Sequence, residues 1–346
     1  MMEGAPYLAA AVAFVASTAG VWLLQRAAGG LPAAVPNARS LHETPVPRAG
    51  GYAIWLGFLP AALLFPPAFP LGFVGWLPSW LALVVVSGRD DVREVGVVAR
   101  LTVHALAALW VAAAFAFFAG GNADDWPRVV LTTACVALVI AWSSNLYNFM
   151  DGTDGLAGTM GAIGFAVYGV AALAGDAAHR EGAALAPASL ALAAAIVPFL
   201  AVNKPRATLF LGDVGAVPLG FLAAAFGAAG VYEGRWPAWF PALVFLPFIA
   251  DATVTLLRRI ARGERLWEGH RAHYYQRLAQ LGAGHAGTLA AYALLMVGTA
   301  GTALACRVRA PRQGWWALAA WCAVILMLFL AIDYHWRKKT NIPAPS

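Results

Sequence analysis

Five acidic positions stand out in this 346-residue chain for their type and spacing. Gly88-Arg89-Asp90-Asp91-Val92-Arg93 sets two carboxylates side by side. Adjacent acids repel each other and lose hydration at a membrane edge, so they need a cation. Hard oxygen donors suit Mg²⁺; pairing with Arg89 and Arg93 is the purely structural alternative. Asn145-Leu146-Tyr147-Asn148-Phe149-Met150-Asp151-Gly152-Thr153-Asp154-Gly155-Leu156-Ala157-Gly158 holds two more acids, Asp151 and Asp154, with Asn148 and no Lys or Arg. No cation within the segment can neutralise them. A structural use would make Asp154 the N-cap of the following helix and Asp151 a turn residue. The density of polar groups favours chemistry, and the missing terminal Glu excludes an EF-hand. Asn203-Lys204-Pro205-Arg206-Ala207-Thr208-Leu209-Phe210-Leu211-Gly212-Asp213-Val214-Gly215 ends on Asp213. Asp213 is either an N-cap or a metal ligand beside helix N–H groups that suit phosphate.

Two further segments add cations and imidazoles. Residues 37–51 carry Arg39, His42 and Arg48 with two stiffening prolines, and end in Gly50-Gly51, where backbone can approach a ligand. Those cations suit phosphate; positive-inside arginines in an ordinary interfacial loop are the alternative. The basic connection 258–287 contains Glu268-Gly269-His270-Arg271-Ala272-His273-Tyr274-Tyr275-Gln276-Arg277-Leu278. It is predicted to be a short amphipathic helix with His270, His273, Tyr274, Arg277 and Leu281 on one face. Zinc lacks a third ligand there. Contact with phosphate or sugar fits the arginines better, and a helix lying on anionic lipid is the alternative. Asp251 lies inside an apolar run and demands a bundle-facing partner. Asp333 is predicted to pair with Arg337 one turn on. His104, His179, His285 and His335 form no cluster and read as structural.

The elements that position these groups follow from composition. The chain is 61% hydrophobic and 12% charged, against about 25% charged in soluble domains. A soluble fold, a disulfide scaffold built from three Cys, and disorder are all excluded. What remains is an all-α polytopic membrane protein, a single domain over 1–346. Eleven spans are predicted, near 6–25, 49–66, 72–87, 100–119, 128–144, 156–174, 184–202, 214–232, 238–259, 288–306 and 315–336. Ten result if the pair flanking Pro66, Pro67 and Pro70 is one. The first run lacks a basic n-region and reads as a span, with no cleavable signal. Seventeen of the 23 Lys and Arg fall after the odd-numbered spans and in the tail, and six elsewhere. Positive charge stays in the cytoplasm, so the N-terminus is expected outside and the C-terminus inside. Arg307, Arg309 and Arg312 break that pattern. The acidic groups and the His pair all fall on the same, cytoplasmic side. The net charge of +6 mostly reflects this bias, and no basic soluble domain is present to bind nucleic acid.

In this order and spacing the segments resemble the polyprenyl-phosphate N-acetylhexosamine-1-phosphate transferases, glycosyltransferase family 4. That family includes the phospho-MurNAc-pentapeptide translocase and enzymes that prime O-antigen and teichoic acid assembly. The resemblance covers nearly the whole chain. The form His270-Arg271-x-His273-x-Tyr275-Gln276-Arg277-Leu278 looks like the O-antigen or capsule-priming branch and departs from the consecutive histidines of the peptidoglycan enzyme. The resemblance implies a bacterial inner-membrane enzyme with its site on the cytoplasmic face. It would move a sugar-1-phosphate from a UDP-N-acetylhexosamine to undecaprenyl phosphate, with Mg²⁺ (Mn²⁺ as a substitute), releasing UMP. It also implies roles. Asp213 would be the main metal ligand, with Asp90 and Asp91 beside the metal and the lipid phosphate. Asn148, Asp151, Asp154 and Asn203, and by position Lys204, would hold the nucleotide sugar. Arg39, His42 and Arg48 would meet phosphate, and His270, Arg271 and His273 the diphosphate or sugar. Membrane lipid is a further partner and a homodimer is compatible with the family. A transporter would place ionisable groups at the midplane of repeated halves, and no repeat is present. A scaffold would need fewer carboxylates. A CDP-alcohol phosphotransferase would carry a closely spaced Asp-Gly series that is missing here.

Overall fold

The computed structural model describes residues 4–34, 45–67, 69–118, 126–174, 185–265 and 271–340. Thirteen α-helices run through them: α1 (Ala5–Arg26), α2 (Gly50–Leu64), α3 (Phe73–Val92), α4 (Val97–Phe118), α5 (Trp126–Met150), α6 (Leu156–Leu173), α7 (Leu185–Asn203), α8 (Asp213–Tyr232), α9 (Trp239–Val244), α10 (Leu246–Ala261), α11 (Tyr274–Leu278), α12 (Gly284–Arg309) and α13 (Gly314–Thr340). Among the described residues, eight helices are long and apolar enough to cross a membrane, and α2 is a shorter apolar one. The protein is an all-α polytopic membrane protein. Helices occupy all eleven expected spans. The prolines after Leu64 end α2, and α3 starts afresh at Phe73, so that pair is two helices.

Two sequence boundaries move, with consequences. α3 extends through Asp90 and Asp91, and α5 extends to Met150, so Asn145 and Asn148 are helical. The expected span 238–259 is broken at Phe245 into α9 and α10. Pro247 opens α10, where its missing N–H costs nothing. The Phe245 ring packs where Gly164 of α6 has no side chain.

α8 forms the centre: 83% of its most apolar stretch is buried, against 17% for the peripheral α5 and α13. Lipid gives helices no hydrophobic reason to associate, so close packing of small residues must do it. Gly51 of α2 and Gly215 of α8 show this most sharply. A Cβ on Gly51 would lie 2.5 Å from the Gly215 Cα. Gly220 similarly admits Ser143 and Tyr147 of α5, and the Ser143 hydroxyl donates to the Gly220 carbonyl at 2.8 Å.

Two short strands, β1 (Ala33–Ala34) and β2 (Val46–Pro47), pair antiparallel ahead of α2. The chain then bonds to the segment before α8. Phe210 N–H donates to Pro47 O at 2.8 Å, Gly50 N–H to Phe210 O at 2.8 Å and Gly51 N–H to Leu211 O at 2.9 Å. The Arg48 segment is thereby held against the Asp213 segment.

Candidate active site

The N-termini of α2, α4, α6, α8 and α12 and the C-termini of α3, α5, α7 and α10 meet at one end of the bundle. The acidic segments meet with them. The connection between α3 and α4 is short, so Arg100, ten residues after Asp90, folds back over it. The Arg100 guanidinium bonds the Asp90 carboxylate and stands 3.7 Å from Asp213. The other Asp90 oxygen accepts the Val95 N–H. Asp90 and Asp91 therefore do not pair with Arg89 and Arg93; Arg89 and Arg93 lie exposed.

Asp91 has a different task. One of its oxygens accepts the Asp213 N–H at 3.0 Å, the other the Val214 N–H at 2.9 Å. It caps α8 from another helix, while Gly212 sits at the N-cap position with φ +76° and no side chain to offer. Asp213 is thus neither its own cap nor flanked by open N–H groups. The next two N–H groups, of Gly215 and Ala216, bond the Gly212 carbonyl. The expectation of a free phosphate-binding helix end at α8 is corrected, because a carboxylate is the stronger and pre-organised acceptor. Asp213 itself is left part-exposed, facing Asn148 within hydrogen-bonding reach. Arg48 stands close enough to Asp91 and Asp151 to attract both.

Asp151 lies in the turn after α5, beside Asp91 and Asp213. Burial pushes its carboxyl well above the usual range, and the negative charges of Asp213 and Asp91 push the same way. Asp154 is the opposite case. Burial alone would raise it, but His285, the Ala207 N–H and the Arg206 N–H hold it below the usual range. Its Oδ2 accepts the Arg206 N–H at 3.0 Å and the Ala207 N–H at 3.2 Å, and its Oδ1 lies 3.2 Å from His285 Nδ1. Asn203 completes the latch: it accepts the Gly155 N–H at 3.0 Å and donates to Leu209 O at 2.9 Å. Asp154 and Asn203 therefore bind the 151–155 and 203–209 loops together. Asp154 does not cap α6, where Gly155 sits at φ +75°. His285, read as structural, does tie α12 to this latch. Lys204 is exposed at the rim.

The predicted amphipathic helix over 268–278 is also corrected. Among the described residues of that segment, which begin at Arg271, the helix starts at Tyr274, with His273 extended at the N-cap position. It packs into the bundle, where Tyr274 and Tyr275 are buried. Two buried carboxylates explain this. Asp251 of α10 accepts the Tyr274 and Tyr275 N–H groups at 2.9 Å each, the Tyr292 hydroxyl and the Thr255 hydroxyl. Asp333 of α13 pairs with Arg258 at 2.6 Å and Arg277 at 2.7 Å, and not with Arg337, which is exposed. An i+4 pair at the surface loses to two guanidiniums in a poorly hydrated site. Tyr275 donates to Phe149 O at 3.0 Å and its hydroxyl fills the space beside Gly152, so this segment abuts the Asp151 turn. Arg271 is half-buried near it. Arg39, His42 and His270 lie outside the described residues.

Sequence reasoning missed Arg100, His285 and Tyr292. Arg100 carried a signal, a cation on the opening turn of a span one short connection after two acids. His285 and Tyr292 carried none, since their partners are 131 and 41 residues away.

A cavity of about 990 Å³ opens between α4, α5, α8, α9 and α10. Its walls are mostly apolar, from Phe115, Val136, Val139, Ile140 and Ile249. It runs from Tyr147, close to the acidic end, towards Arg128 and Tyr232 at the opposite end.

Known proteins are similar to this chain in sequence. The sequence profile described as glycosyl transferase family 4 matches residues 73–230. A decaprenyl-phosphate N-acetylglucosaminephosphotransferase of Mycobacterium tuberculosis is 29% identical over 316 residues, 80% of this chain and 76% of the relative. An undecaprenyl-phosphate alpha-N-acetylglucosaminyl 1-phosphate transferase of Yersinia pestis is 28% identical over 323 residues, 87% and 84% of the two chains. A phospho-N-acetylmuramoyl-pentapeptide-transferase of Picosynechococcus is 31% identical over 210 residues, 59% and 54%. Together with the apolar helices, these place the chain in the bacterial inner membrane as a multi-pass protein. The chain is thus similar to glycosyl transferase family 4 over residues 73–230, and to polyprenyl-phosphate N-acetylglucosamine-1-phosphate transferases over four fifths or more of its length.

Proposed function

We propose that this protein transfers an N-acetylhexosamine-1-phosphate from a UDP-sugar to undecaprenyl phosphate, giving the lipid diphosphate sugar and UMP. The observation that carries the reading is the convergence of Asp90, Asp91, Asp151 and Asp213 with Arg48 and Arg100 at one end of the bundle. Carboxylates for a divalent cation and guanidiniums for phosphates are what two anionic substrates require.

The donors suit Mg²⁺ by class, since all are hard oxygens. Among the described residues, no three acidic, His or Cys side chains form a ready-made metal cluster. That is compatible with Mg²⁺, which commonly uses one or two carboxylates and takes its other ligands from water and substrate phosphates. Asp213, part-exposed, would hold it, with Asp90 and Asp151 close by. Asp91, both oxygens engaged, would fix the position of Asp213. Mg²⁺, or Mn²⁺ in its place, would screen the phosphate charges.

A lipid phosphomonoester carries roughly −1.5 to −2 charges near neutral pH, by analogy with other phosphomonoesters. It is already a nucleophile, and its difficulty is approaching an anionic diphosphate. Arg100 and Arg48 draw the two together. An oxygen of the lipid phosphate bonds to the sugar-linked phosphorus, and the bond to UMP breaks, UMP leaving with the electron pair. Direct attack is favoured over an aspartyl-phosphate, since Asp91 is tied to two N–H groups and Asp90 to Val95 and Arg100. Asp154 and Asn203 shape the floor of the nucleotide-sugar pocket, with Asn148, Lys204, Arg271 and His273 around it. The apolar cavity from Tyr147 outward fits the polyprenyl chain.

The Lys and Arg bias supports a cytoplasmic site, an outside N-terminus and a cytoplasmic C-terminus. The His270-Arg271-x-His273 form supports initiation of O-antigen or related envelope polysaccharide; the same reaction in peptidoglycan or teichoic acid synthesis is the second reading. The test incubates purified protein with undecaprenyl phosphate, Mg²⁺ and UDP-linked GlcNAc, GalNAc, FucNAc and QuiNAc, following UMP. One donor is expected to release UMP only with the lipid present. Release from none of the panel overturns the reading, and lipid-linked sugar movement without UMP would favour a flippase.

A further inference from the structure

Asp251 is fully buried on α10, and no step above uses it. A buried carboxylate is costly unless donors surround it. Here they do. The Tyr274 and Tyr275 N–H groups can only donate, and they take one oxygen each at 2.9 Å. The Tyr292 hydroxyl donates to the second oxygen and the Thr255 hydroxyl, at 3.2 Å, to the first. That set fits the ionised, acceptor-only form. His273 Nδ1 stands 3.2 Å from the first oxygen. A lone pair on Nδ1 facing that oxygen would be repelled, so Nδ1 must carry the proton.

We propose that Asp251 is a positioning residue: it fixes His273 as the Nδ1–H tautomer and so makes Nε2 the acceptor nitrogen of the ring. The ring cannot easily turn to escape this. It stacks on Tyr275, with centroids 5.7 Å apart, and leans on Phe149 at 6.1 Å. Both backbone bonds to Asp251 come from the two residues after His273, so ring and main chain are registered by one carboxylate. A carboxylate that orients a histidine through Nδ1 is a recurring device for choosing which ring nitrogen meets substrate. A capping box at the start of α11 brings the Gln276 N–H to the His273 side chain and favours the opposing arrangement, in which Nδ1 accepts. It would put two acceptors face to face at 3.2 Å. The role in turnover rests on the transferase reading; the tautomer does not.

The test uses the full chain in nanodiscs, labelled with ¹⁵N-histidine, the His273 signals being assigned by their loss in His273→Ala. Spectra are taken about two pH units above the ordinary imidazole value of about 6.5. The expected wild-type signal is a protonated Nδ1 and a bare Nε2, moving towards protonated Nε2 in Asp251→Asn. Wild type with a bare Nδ1 overturns the proposal, and this holds even if Asp251→Asn fails to fold. In the UMP assay Asp251→Asn is expected to lose about 10-fold or more in kcat, with KM for undecaprenyl phosphate held. In a His273→Ala background the same change should cost nothing further. An equal loss in both backgrounds would reduce Asp251 to a scaffold and overturn the proposal. If wild type releases no UMP from any donor, the transferase reading fails, while the spectra still decide the tautomer.

Discussion

At the scale of single residues, the carboxylates of the site differ in their partners, and the partners separate their roles. Asp213 keeps an accessible face, which makes it the best anchor for a divalent ion. Asp213→Ala is expected to abolish UMP release and to remove saturable Mg²⁺ binding by calorimetry; turnover retained at saturating Mg²⁺ would exclude the role. Arg100 is the built-in counter-ion for Asp90 and Asp213. Its removal strands Asp90, whose side chain is 8% exposed. Breaking a buried pair costs about 3–5 kcal/mol, and the partly exposed Arg100 brings this to roughly 1–3 kcal/mol. Arg100→Ala should therefore lower Tm in EDTA, and Mg²⁺ should restore more of that loss than it adds to wild type. Equal Mg²⁺ effects on both proteins would dissociate Arg100 from the ion.

At the scale of elements, the site is an assembly of helix ends held by cross-chain capping. Asp91 closes α8, Asp251 closes α11, and Asp154 with Asn203 fastens the turn before α6 to the loop after α7. These bonds carry a pH signature. Asp154 is held below the usual carboxylate range by His285, Ala207 and Arg206 against the burial that would raise it. A lowered folded pKa means that folding favours the charged form. The stabilisation is fully present above the unfolded value of about 3.9 and is lost as pH falls through the lower folded value. Thermal scans of wild type and Asp154→Asn should differ at neutral pH and converge in acid below that range. A constant gap down to the lowest accessible pH would show that Asp154 contributes by packing alone.

At the scale of the whole molecule, charge and apolarity are sorted by end. The orientation argument from Lys and Arg predicts that Thr340 lies in the cytoplasm and Gln313 outside. In a background with Cys135, Cys306 and Cys322 replaced by Ala, Gln313→Cys should react with an impermeant maleimide on intact spheroplasts. Thr340→Cys should react only after lysis. The reverse pattern would place the acidic end, and the proposed site, outside.

The sequence by itself determined the membrane class, the eleven helical segments and which acids merit attention, because apolar run length and intramembrane charge are local properties. It placed the Asp90-Asp91 pair, Asp151 and Asp213 in separate connections and could not say which would be a cap. The tertiary structure alone decided that. Asp91 caps α8 across 122 residues, Asp333 selects Arg258 and Arg277 over its neighbour Arg337, and His273 turns inward to Asp251 instead of lying on lipid. The physical reason is common to all three. In a poorly hydrated bundle each charge takes the donors that packing brings nearest, and packing here follows glycine contacts such as Gly51 on Gly215.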